Sequence, residues 1–157
     1  MAVVAVVSAM GHTTDELTGL AAAINASPPQ REMDMLLASG EQVSIALLAM
    51  ALHQQGVTAV SMTGPQVGIV TESIHGRARI LEIRTDRIRN QLNEGRVVVV
   101  AGFQGTSSGP GGIAEITIRI GEAEAADARA GQVVWQDLSA AIRECARAAA
   151  AAEAVQL

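Results

Sequence analysis

The stretch "VVAVVSAMGHTTDEL" (residues 3–17) decides how the chain is read. An apolar run rich in valine feeds a turn of small residues that offers Ser8, Gly11, Thr13 and Thr14, and the acids Asp15 and Glu16 then open a new segment. β-Branched runs favour strands, and acids in a first turn favour a helix start. The order is therefore strand, ligand-shaped loop, helix.

Working outward, residues 15–25 read as a helix, with Thr13 or Thr14 as its N-cap, and Pro28 and Pro29 end it. From 31 to about 55 the apolar positions Met33, Leu36, Leu37, Val43, Ile45, Leu47, Leu48, Met50, Ala51 and Leu52 recur at helical spacing. Gly40 interrupts that pattern, which predicts one bent helix or two in succession, with Gly56 as the stop. Strands are expected over 57–64, 67–71, 78–83 and 97–100, and a helix over 86–93. Alternation of this kind, with the fully apolar run "VVVV" at 97–100, predicts an α/β fold whose mostly parallel sheet is covered on both faces. Past Gly105 come a flexible "TSSGPGG", an alternating strand "IAEITIRI", a polar Ala-rich passage and a closing helix over about 137–155.

Composition narrows the function. The 157 residues are 49% hydrophobic but only 1% aromatic, so the single core must be built from Ala, Val, Leu, Ile and Met. A net charge of −5 without a basic stripe argues against nucleic acid. All 11 basic residues are arginine, and there is no lysine. No run reaches the roughly 18 uninterrupted apolar residues of a membrane span, and no basic region opens the chain, which together suggest a cytoplasmic protein. Cys145 reads as a small buried hydrophobe, and His12, His53 and His75 lack metal-ligand spacing.

Two loops follow strand ends, where α/β sheets bind ligands. The first is "SAMGHTT". The second, "GFQGTSSGPGG", could approach an anion through Gly102, Gly105, Ser107 and Gly109, although it matches neither a P-loop nor a dinucleotide fingerprint. Glu41, set in an apolar helical region, must be solvated, paired with an arginine or aimed at a ligand amine.

These segments resemble a known family. "VVSAMGHTTDEL", "PPQREMDMLLASGEQVSIALLAMAL", "TGPQVGIVTESIHGRARI" and "GRVVVVAGFQG" occur in the order and spacing of the aspartokinase catalytic domain, of the amino-acid kinase family. The resemblance covers residues 2–105; it makes 1–112 an aspartokinase-like lobe and leaves 113–157 as a divergent strand and Ala-rich helix. It implies a three-layer α/β/α sandwich and a family reaction in which Mg-ATP phosphorylates the β-carboxylate of L-aspartate. Carried over residue by residue, the substrate contacts fall on Ser8, Thr14 and Glu41. Hydroxyls suit a carboxylate, and Glu41 suits an α-ammonium.

The departures also bear on activity. The family's Lys-Phe-Gly-Gly-Thr-Ser strand, its Gly-Arg-Gly-Gly-Ser-Asp loop, its Asp-Val-Asp-Gly-Val segment and its ACT domains have no counterpart in these residues. Phosphoryl transfer depends on positioned positive charge, so the expectation is a domain with part of an aspartate pocket that is inactive alone. The alternative is a scaffold or split subunit that associates with itself or a partner through an exposed sheet edge. An anion site rebuilt from Arg77, Arg79 or Arg119 is a third reading.

Overall fold

A computed structural model describes residues 2–102 and 104–108, with the backbone of 113–115. Four elements come first: strand β1 (Val4–Val7), helices α1 (Thr13–Ile24) and α2 (Gln30–Gln54), and strand β2 (Ala59–Met62). Then come α3 (Gly64–Val67), β3 (Ile69–Thr71), β4 (Ile80–Ile83), α4 (Asp86–Asn93), β5 (Val97–Ala101), β6 (Gln104–Ser107) and β7 (Ile113–Glu115). The rest of "IAEITIRI", Gly109, Arg119, Cys145 and the helix expected near 137–155 lie outside the described residues.

β5 explains the continuous valine run. It lies between β1 and β2, parallel to both, with Val98 opposite Val4 on one side and Val60 on the other. Alternate residues of a strand face opposite ways. Val97, Val99 and Ala101 pack with Ile45, Leu48, Ala49 and Leu52 of α2. Val98 and Val100 pack with Met62 and Val67, flanked by Ile88 and Leu92 of α4. A strand with helices on both faces has no polar side to offer, so every residue of β5 is buried. This is the α/β/α layering. A second sheet, ordered β4-β3-β6-β7, joins β3 to β6 in parallel and holds two antiparallel pairs. Three of the five strand pairings among the described residues are thus parallel.

Four local expectations change. α2 is one uninterrupted helix of 25 residues, and Gly40 is a point of close approach rather than a break. A Cβ there would lie 3.1 Å from Thr13 Cγ2 and 3.3 Å from Ala9 Cβ and from Leu17 Cδ1. α1 starts at Thr13 with His12 in the N-cap position and no side-chain cap, so neither threonine caps it. Between the second and third strands the chain makes a helical turn, α3, because Thr63 and Gln66 form a reciprocal capping box and Pro65 suits a first turn. Finally, part of the expected glycine-rich loop is strand β6, since residues 104–107 find ladder partners in β3 and β7. Gly105 and Ser107 are strand residues, and the Gly102 N–H donates to the Val7 carbonyl.

By length and mean hydropathy α2 could cross a membrane, but 44% of its most apolar stretch is buried and its inner face forms the core.

Candidate functional site

β1 delivers the chain to Ser8, and the turn through residues 8–12 hands it to α1, whose first residues include Thr14. Both hydroxyl residues are exposed. Gly40 seats α2 directly on Ala9 and Thr13, so the segment that carries Glu41 lies against the loop that carries Ser8 and leads to Thr14. The loop that carries Ser8 and the turn of α2 that precedes Glu41 thus meet near the carboxyl end of β1, where an α/β sheet presents ligands.

Glu41 is 5% exposed. The Gln104 side-chain amide reaches it across the molecule: Nε2 donates to Glu41 Oε2 at 3.0 Å and to the Ala38 carbonyl at 2.9 Å. Gln104 comes from β6, and β6 is set in place by a close backbone approach. A Cβ on Gly64 would fall 1.9 Å from the Gln104 carbonyl oxygen, so no other residue fits at 64 without moving the strand. Gln104 is thus the buried partner of Glu41, brought there by a strand where the sequence predicts a loop. The signal in the sequence is a long polar residue three positions past the end of a buried strand and followed by a glycine.

A second buried carboxylate lies two turns earlier on the same face of α2. Asp34 is fully buried; it accepts a hydrogen bond from the Gly76 N–H at 3.1 Å and pairs with His75 Nδ1 at 2.5 Å. The pair ties the turn between β3 and β4 to α2. His75, which has no metal-ligand spacing in the sequence, is thus half of a tether, and no local pattern marks Asp34, whose partner is 41 residues away. Among the described residues no group of three or more His, Cys, Asp or Glu side chains could hold a metal ion. Arg79 bonds to Glu72 at 3.3 Å, and Glu82 holds the exposed Arg84 guanidinium above its ordinary range by hydrogen bonding and charge.

The geometry can be set beside known proteins. Residues 1–133 match the amino acid kinase family. The chain is 66% identical over 103 residues to an aspartokinase of Bacillus sp. (strain MGA3), a match covering 66% of this chain and 25% of that protein. It is 54% identical over 132 residues to aspartokinase 2 of Bacillus subtilis (strain 168), covering 80% of this chain and 32% of that protein. Of the solved structures, aspartate kinase from Synechocystis matches with a TM-score of 0.57 at 47% identity, over 75% of this chain and 19% of that chain. E. coli aspartokinase III in complex with aspartate and ADP matches with a TM-score of 0.53 at 25% identity, over 67% of this chain and 24% of that chain. The chain spans about a quarter to a third of the length of these curated relatives. The parallel valine-rich strand between helical layers now has its family: the chain belongs to the amino acid kinase family, as an aspartokinase-like domain.

Proposed function

We propose that this chain contributes the amino-acid-binding part of an aspartokinase site, with L-aspartate as its ligand. Glu41 receives the α-ammonium group, and the hydroxyls of Ser8 and Thr14 donate to a carboxylate. The observation that carries the reading is Glu41 itself: a carboxylate kept 5% exposed on α2, beside a loop of exposed hydroxyl residues that Gly40 holds close. Burying an acid is costly, and a ligand cation is one means of offsetting that cost. E. coli aspartokinase III, similar in fold, was solved with aspartate and ADP, which supports the same ligand here.

The reaction of the family transfers a phosphoryl group from ATP, and its barrier is lowered by positioned cations. These 157 residues hold no lysine, so we expect them alone to bind aspartate without turning it over. The test is calorimetric titration with L-aspartate and, separately, Mg-ATP. Aspartate should bind saturably, and Glu41→Gln, which keeps the shape and removes the charge, should weaken it about tenfold to a hundredfold. Equal affinity in both proteins would overturn the assignment of Glu41, and aspartate phosphorylation at ordinary kinase rates would overturn the expectation of binding alone.

A further inference from the structure

Gln104 is 1% exposed, and its side chain is satisfied at one end only. Nε2 makes two hydrogen bonds, to the Ala38 carbonyl and to Glu41. Oε1 is buried and has no hydrogen-bond partner among the described residues. Turning the amide over would not relieve this, because Oε1 would then face two oxygen acceptors while the two N–H donors lost theirs. The orientation is therefore fixed by its neighbours. An acceptor buried without a donor costs free energy, and a native structure retains such a group where a ligand or water completes it.

The pairing is also held from behind. The 1.9 Å limit at Gly64 fixes the Gln104 backbone, and the β6 ladder with β3 and β7 fixes its direction. A side chain so constrained can orient another. We propose that Gln104 is a positioning residue for amino-acid recognition. Through Nε2 it sets the carboxylate of Glu41, and through Oε1 it offers a second, neutral acceptor to the ammonium group that Glu41 receives. An ammonium carries three N–H donors, so a carboxylate and an amide carbonyl on adjoining side chains can both be used. This rests on the reading of Glu41 under Proposed function.

The test compares two ligands in the wild-type chain and in Gln104→Met, which keeps the length of the side chain and removes both polar ends. Titrations use L-aspartate and succinate, the same diacid without the ammonium group. Gln104→Met should weaken aspartate about tenfold or more and leave succinate unchanged in the folded protein, with Tm lowered because Glu41 and the Ala38 carbonyl lose their donor. Loss of both ligands alike, or of neither, while Glu41→Gln still weakens aspartate, would overturn the role of Gln104 and leave the binding site standing. Absence of aspartate binding in the wild-type chain would overturn both. A readout that needs no ligand is the side-chain amide signal of Gln104 in an NMR spectrum, which should move when Glu41→Gln removes the charge it faces. An unmoved signal would overturn the pairing.

Discussion

α2 buries one face along its whole length, yet its two halves do so with opposite chemistry. From Ile45 to Leu52 the buried side chains are Ile45, Leu48, Ala49 and Leu52, set against the valines and alanines of the parallel sheet. From Asp34 to Ser44 they include Asp34, Glu41 and Ser44, set against His75, Gly76 and Gln104. The first half gains from every apolar atom removed from water, about 1.5–3 kcal/mol for each large side chain. The second must recover the cost of desolvated acids through specific partners. One helix thus anchors the fold with one end and carries the acid of the proposed site on the other. The two ends should respond differently to the same kind of damage.

The largest effect is expected at the apolar end. Leu48 is fully buried, and Leu48→Ala removes its transfer free energy and leaves a cavity, for a loss of about 2–5 kcal/mol in urea unfolding. Aspartate affinity of the folded protein should stay unchanged, since the residue lies below the site. A large change in affinity at constant stability would break the division between the halves.

At the polar end the expected loss is smaller but local. Asp34→Asn keeps the volume but leaves a single acceptor oxygen where the carboxylate serves the Gly76 N–H with one oxygen and His75 with the other. A loss of about 1–3 kcal/mol follows from a buried donor left without an acceptor. Hydrogen exchange at the Gly76 amide should quicken by more than global unfolding explains, because the turn between β3 and β4 loses its tether. Uniform quickening across the core would mean that the tether belongs to the cooperative unit and that α2 has no separate polar half.

How much of this was legible in the sequence follows the same line. The apolar half was readable: the periodicity placed α2 and the valine run placed β5, because both signals lie within one element. α4, expected over 86–93, is observed as Asp86–Asn93 for the same reason. α3 was readable in principle from Thr63, Pro65 and Gln66, whose capping box outweighs the flanking strand signals. The polar half was not. Gln104 meets Glu41 across 63 residues and His75 meets Asp34 across 41, and no local pattern encodes such pairings. β6 was hidden because its strand character comes from β3 and β7 rather than from "QGTS".

The smallest expected effect on stability tests the join between the halves. Gly40→Ala would gain about 1 kcal/mol of helix propensity at a mid-helix position. Against this, the new Cβ stands 3.1 Å from Thr13 Cγ2 and 3.3 Å from Ala9 Cβ, so the loop and the start of α1 must shift by a few tenths of an ångström. Overpacking of this size costs at least as much as the propensity gains, so the net change should be a loss of about 1 kcal/mol or less. The displacement falls on the segment that carries Ser8 and leads to Thr14, so aspartate binding should weaken several-fold although stability hardly moves. A variant that is more stable and binds as before would mean that the contact at Gly40 merely fills space; weaker binding would make Gly40 the residue that sets the distance between the two walls of the site.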